Sequence, residues 1–146
     1  MKRKITEIII HCTATPACRD YSVEDIRRWH IKRGFSDIGY HYVIDRSGII
    51  FEGRSIDMIG AHCKDHNAYS IGICYVGGLD YNCKPCDTRT PEQIDSMHQL
   101  VADLIKEFGP LKVYGHNEFS NKACPCFDVK SEFDYINNPL FDTLKL

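Results

Sequence analysis

No apolar run in this chain approaches the roughly 20 residues of a membrane-spanning helix. The N-terminus, MKRKITEIIIHCTA, places three basic residues before an apolar stretch, but Thr6, Glu7 and His11 interrupt it. An export signal needs an unbroken apolar core, so the chain is expected to be made in the cytoplasm without an encoded export route. Charge of either sign is equally wanting: 18 Lys and Arg stand against 20 Asp and Glu, a formal net charge of −2. This excludes a large basic field and predicts neither a nucleic-acid nor a membrane-surface partner. Tryptophan occurs once, at Trp29, and no internal repeat or low-complexity tract is present.

What is abundant is cysteine, eight in 146 residues. A chain of this length with 43% hydrophobic residues can build one core without covalent staples. Most of the cysteines are therefore expected to be reduced thiols, with at least one serving as a metal ligand. One domain is expected, spanning 1–146.

Residues 5–13 (ITEIIIHCT) are β-branched and apolar on both faces, as a buried central strand requires. Asp20 to Ser22 offer caps for a helix over 23–33, with Ile26, Trp29 and Arg33 on one face and Gly34 as its stop. YHYVID (40–45) and IIFEG (49–53) predict a hairpin turning at Arg46-Ser47-Gly48, and SIGICYV (70–76) a further strand. A helix over 91–108 has Thr90 as cap, Pro91 at its first position and Gln93 completing a capping box. Its apolar stripe is Ile94, Met97, Val101, Leu104, Ile105 and Phe108, and Gly109-Pro110 ends it. LKVYG (111–115) reads as a short strand and 128–135 as a final helix, while 77–89 is a polar surface loop. Strands interleaved with helices predict an α/β fold with a mixed, mainly five-stranded central sheet.

Two histidines close predicted strands, His11 and His116, and Cys124 lies eight residues beyond the second. Strand C-terminal ends line the crevices of α/β sheets. Two imidazoles and one thiolate would leave a tetrahedral ion one open position, the pattern of a catalytic zinc. Seven histidines and eight cysteines offer many such triples, so spacing alone does not single this one out.

The segments IIIHCTAT, IRRWHIKRGFSDIGYHYVIDRSG, EGR, GAH, NAYSIGICYVGG and GHNEFSNKACPCFD, in this order, resemble the N-acetylmuramoyl-L-alanine amidase family. The match is strongest to the bacteriophage lysozyme-type amidases and more distant to animal peptidoglycan recognition proteins, and it covers about 8–130. The resemblance implies one catalytic zinc on His11, His116 and Cys124, catalytic roles for Tyr40 and Lys122, and a place for His62 in the substrate groove. It implies hydrolysis of the amide between N-acetylmuramic acid and L-alanine, with peptidoglycan or muropeptides as substrate, in a phage endolysin or a wall-remodelling enzyme. Intact ligand and catalytic positions speak against a binding module that does not cut. A second role as inhibitor of a phage RNA polymerase, which the resemblance also raises, has no support in the chain, where only Met1 to Lys4 precede the first strand. A monomer is expected.

The other polar residues read more plainly. His41 alternates with Tyr40 and should face away into packing, His30 reads as helix surface, and Trp29 as a packing anchor. Arg54 and Asn67 read as polar surface, with contact to sugar or peptide as the alternative, and His66 and His98 carry no signal. Cys83 and Cys86 form a CxxC that reads as a pair of loop thiols. Cys126, two residues from Cys124, is expected to make the metal-free protein more sensitive to oxidation.

Overall fold

The strand that ends at His11 lies at the centre of the sheet, and the fold is built outward from it. A computed structural model describes residues 2–139. In chain order it comprises β1 (Glu7–Cys12), β2 (Thr15–Pro16), α1 (Val23–Lys32), β3 (Tyr42–Ile44), β4 (Ile50–Glu52), β5 (Ser70–Tyr75), β6 (Gly78–Leu79), α2 (Pro91–Phe108), β7 (Lys112–Gly115), α3 (Val129–Glu132) and α4 (Asp134–Asn137). The main sheet has the order β4-β3-β5-β1-β7; β3 and β4 run antiparallel and the other pairs parallel. The mixed five-stranded α/β architecture expected from the sequence is what forms. Among the described residues no helix is long and apolar enough to cross a membrane.

Successive side chains of a strand point to opposite faces, and here the two faces differ in size. Ile8, Ile10 and Cys12 of β1, with Ile71, Ile73 and Tyr75 of β5, pack into the larger core beneath α2 and α3. On the other face β1 presents Glu7, Ile9 and His11, registered against Ser70, Gly72 and Cys74. Those three partners are small. They leave a hollow above the sheet, bordered by the smaller cluster of Ile26, Ile38, Val43 and Val76 with Trp29 and Tyr40 against it.

Both long helices start as local chemistry dictates. The Thr90 hydroxyl accepts from the Gln93 amide at 3.0 Å, and the Gln93 side chain accepts from the Thr90 amide at 3.0 Å. Ser22 and Asp25 make the same reciprocal box at α1, and Gly34 follows the helix at φ +101°, a conformation glycine adopts without strain. Along α2, Met97, Val101 and Leu104 are buried as the stripe predicts, joined by Leu100.

Three expectations change. The hairpin strands shrink to Tyr42–Ile44 and Ile50–Glu52, although Gly53 and Arg54 amides still donate to the His41 and Tyr40 carbonyls at 2.8 Å. The final helix divides at Phe133, whose fully buried side chain anchors the break between α3 and α4. The 77–89 loop is not merely an excursion: Gly78–Leu79 pairs in parallel with Thr15–Pro16. All eight cysteines are free thiols.

Candidate metal centre and groove

The hollow above β1 and β5 opens into a groove of about 630 Å3 whose floor holds His11, His116 and Cys124. Among the described residues these three form the cluster able to hold a metal, with their ligand atoms all within 4.8 Å of one another. His11 is delivered by the alternation of β1, His116 by the turn that follows β7, and Cys124 by the loop before α3. The Tyr75 hydroxyl fixes that loop from the core by donating to the Pro125 carbonyl at 2.6 Å.

Each nitrogen of His11 has a different neighbour. Nδ1 faces the Cys124 sulfur at 3.9 Å, while Nε2 lies 2.8 Å from His62 Nδ1. Ordinary zinc–sulfur and zinc–nitrogen lengths at a tetrahedral angle separate such ligand atoms by about 3.5 Å. The donor set therefore fits zinc with little movement. If Nδ1 were the atom that holds an ion, Nε2–H would donate to His62 Nδ1 and His62 Nε2–H to Ser70 Oγ at 3.1 Å, which would fix the tautomers of both rings. The Cys124 sulfur accepts from the Cys12 amide at 3.2 Å, which ties it to the end of β1.

Burial, then the neighbouring His62, His116 and Lys122, hold His11 well below the ordinary imidazole range. Burial and Lys122 push His116 down as well. Both rings are thus neutral at neutral pH, the form in which imidazole binds a metal. His62 is driven down to about 3 by burial and by His41.

Tyr40 stands beside the cluster, its ring centroid 5.1 Å from that of His11. Burial, with the nearby thiols, raises its hydroxyl well above the usual phenol range, so it is a hydrogen-bond donor and not a phenolate. Lys122 lines the same groove within electrostatic reach of both histidines. All six residues singled out by the sequence meet here.

Residues 1–127 match the family described as N-acetylmuramoyl-L-alanine amidase. The chain belongs to this amidase family. It is 37% identical over 129 residues to the endolysin of Klebsiella phage KP32, covering 88% of this chain and 85% of the endolysin. The solved endolysin amidase LysCS of Clostridium intestinale aligns with a TM-score of 0.77 at 25% identity, over 90% of this chain and 85% of that one. Drosophila PGRP-LB aligns with a TM-score of 0.75 at 26% identity, over 92% of this chain and 82% of that one. The amidase fold and a groove with a His/His/Cys cluster therefore occur together in one chain, and the chain is an amidase of peptidoglycan.

Several residues that read as bland in the sequence support the amidase groove. Asn67 Oδ1 accepts from the His62 and Cys63 amides at 2.8 and 2.9 Å, holding the loop that carries His62. Arg54 donates to the carbonyls of Ile38 and Ile59 at 2.8 Å and of Asp37 at 3.2 Å, tying the Tyr40 and His62 segments together. His30 is buried and not on the helix surface: its Nδ1 accepts from the Gly39 amide at 2.8 Å, and its ring packs 5.3 Å from that of Tyr40. The reason is that α1 packs its C-terminal turn on the chain entering Tyr40. His41 is buried as packing predicts but does not face away: it precedes β3, its ring lies 5.9 Å from that of His62, and it accepts from the Gly72 amide and donates to the Met58 carbonyl. Cys126 contacts Cys12, sulfur to sulfur at 3.9 Å. No local pattern could have shown these roles, because most partners lie in other segments of the chain.

Proposed function

We propose that this amidase is zinc-dependent, with His11, His116 and Cys124 holding one zinc, Tyr40 and Lys122 acting in catalysis, and His62 shaping the site. The convergence of two neutral imidazoles and a thiol at the floor of an open groove carries this reading. When bound there, zinc supplies an activated water and polarises the scissile carbonyl. The substrate is the amide between the lactyl group of N-acetylmuramic acid and L-alanine, in peptidoglycan or its soluble muropeptides. The family match and the endolysin relatives support that choice.

The chain's own residues account for the rest of the chemistry. Lys122 places a positive charge where negative charge develops on the carbonyl oxygen, a preorganised stabilisation that needs no rearrangement. Tyr40, held neutral beside His11, donates a hydrogen bond to the reacting group. His62 orients His11 through the Nε2–Nδ1 bond, so it works through the ligand and on the groove wall together. The setting favoured by the endolysin relatives is a phage or prophage lysis enzyme acting on the wall or its fragments.

The test is mass spectrometry of peptidoglycan fragments after incubation with the protein, with and without a zinc chelator. Chelator-sensitive release of peptides with a free L-alanine amine, leaving glycan intact, is the expected result. Cleavage indifferent to chelation and to zinc restoration overturns the metal assignment, and no cleavage by zinc-loaded protein overturns the amidase reading.

A further inference from the structure

The wall of the groove that carries His62 has little regular structure of its own. Between β4 and β5 the chain forms one short helical turn, Asn67–Tyr69, while Met58 and Ile59 turn to solvent. Yet this stretch supplies Ala61, His62, Cys63, Lys64 and Asn67 to the groove. A segment with exposed apolar side chains and no ladder of its own depends on polar contacts for its placement.

Arg3, near the start of the chain, makes those contacts at both ends of the segment. Its Nε donates to the Ile56 carbonyl at 2.9 Å and its Nη1 to the Ser70 carbonyl at 2.8 Å. Nη1 also lies 3.4 Å from the carbonyls of Asn67 and Ala68. Asp57 favours the guanidinium charge without forming an ion pair with it, so the fork is committed to backbone oxygens. The base of the segment is thereby closed, with Ile56 on one side and Ser70 on the other.

A short path leads from this clasp to the metal cluster. Ser70 is fully buried, and its hydroxyl lies 3.1 Å from His62 Nε2; His62 Nδ1 lies 2.8 Å from His11 Nε2. Holding the Ser70 peptide therefore holds the oxygen that meets one side of the His62 ring, while the other side meets His11. Asn67, whose carbonyl is also near Arg3, binds the His62 and Cys63 amides through its side chain. Behind burial and the neighbouring histidines, the Arg3 charge also disfavours a proton on His62.

We propose that Arg3 is a positioning residue of the amidase site, whose guanidinium clasps the 56–70 segment and so sets His62 against His11. The inference rests on the zinc assignment above and adds to it a residue that does not line the groove. A lysine keeps the charge but lacks the rigid fork that serves two carbonyls at once. Arg3 acts one contact beyond the ligand's own partner, so its loss is expected to weaken zinc binding by about threefold to tenfold, less than the loss of His62.

The experiment compares wild type, Arg3→Ala, Arg3→Lys, His62→Ala and the Arg3→Ala/His62→Ala pair by two measurements. Amide hydrogen exchange of the metal-free proteins reads the clasp: both Arg3 variants are expected to exchange faster within 56–70, the His62 and Cys63 amides included. Chelator competition reads zinc affinity. Both Arg3 variants should weaken by the stated factor, and the double variant should be no weaker than His62→Ala, because without the ring the clasp has nothing to hold. A residue serving general stability would give losses that multiply. Thr90→Ala, which removes a remote helix cap, is the control and keeps wild-type affinity. Should Arg3→Ala fail to fold, Arg3→Lys and its pair with His62→Ala supply the same readings. Unchanged exchange within 56–70, wild-type affinity in either Arg3 variant, or multiplying losses in the double variant overturns the proposal. No zinc binding by the wild type overturns the metal assignment itself, and the positioning role with it, whatever the exchange shows.

Discussion

At the scale of single residues, the roles proposed for Lys122 and His62 can be told apart by separating chemistry from metal binding. Lys122 is exposed, lines the groove and donates no side-chain hydrogen bond to the protein among the described residues, so removing its amine disturbs no packing. Losing one oxyanion donor typically costs about 2.7–4 kcal/mol of transition-state stabilisation. Lys122→Ala is therefore expected to retain zinc and to lose about 100- to 1,000-fold in kcat, read from metal analysis and turnover on the same sample. Near wild-type turnover would remove its role. His62→Ala has the opposite signature. It leaves His11 Nε2 without its partner at 2.8 Å, and loss of such an orienting contact weakens metal binding about 10- to 100-fold. A chelator-competition titration checks this, and wild-type zinc affinity in the variant would show that the bond does not orient the ligand.

Elements explain why the groove exists and how much of it could be read beforehand. The hollow depends on the small face of β5, and Gly72 is its most sensitive point. A Cβ there would approach His62 Cγ to 2.7 Å and Cδ2 to 2.8 Å. Gly72→Ala is thus expected to displace the His62 ring from His11 and to reproduce the zinc-affinity loss of His62→Ala without removing any polar atom. Unchanged affinity would mean that the ring shifts without cost. Helix α2 offers a simpler case: Thr90→Ala removes its capping box and is expected to lower stability by about 1 kcal/mol in denaturant unfolding, without a change in zinc content. Such caps were legible because they are written within four residues. So was the β1 strand, whose apolar run and terminal histidine are contiguous. The β2–β6 pairing was not, since two-residue strands have no periodicity and Thr15 meets Gly78 across the fold. His30, Arg54 and Asn67 were misread as surface for a related reason: a polar residue looks the same in sequence whether water or a distant carbonyl takes its hydrogen bond. The metal cluster itself needed the family resemblance, because nothing in the spacing of His11 from His116 and Cys124 brings them together.

For the molecule as a whole, the segment behind the His/His/Cys cluster is clamped by charge. Arg89, with only 2% of its side chain exposed, holds Glu132 through two bonds of 2.8 Å and Asp87 through bonds of 2.9 and 3.0 Å. Its guanidinium carbon lies 3.4 Å from the centroid of the Phe127 ring. The clamp thereby joins the 77–89 loop to α3 and to the chain just after Cys124. His98 of α2 adds a third contact to Glu132 at 2.8 Å. Burial by itself would raise the Glu132 carboxyl, but the hydrogen bonds from Arg89 and His98 outweigh it and hold the group below the ordinary range. A carboxylate depressed in the folded state binds its proton more weakly there than in the unfolded chain. Its stabilisation is therefore complete above the unfolded value, about 4.3, and is lost as pH falls through the lower folded value. Glu132→Gln is expected to lower stability at pH 7 by about 1–3 kcal/mol, since the buried Arg89 keeps Asp87 but loses its half-buried partner. The deficit relative to wild type should then shrink as pH drops below about 4.3, because the wild type is losing the same contribution. Thermal or urea unfolding of both proteins between pH 7 and pH 3 checks the sign. A deficit that stays constant across that range would mean that the Glu132 charge is not what holds the loop and α3 together.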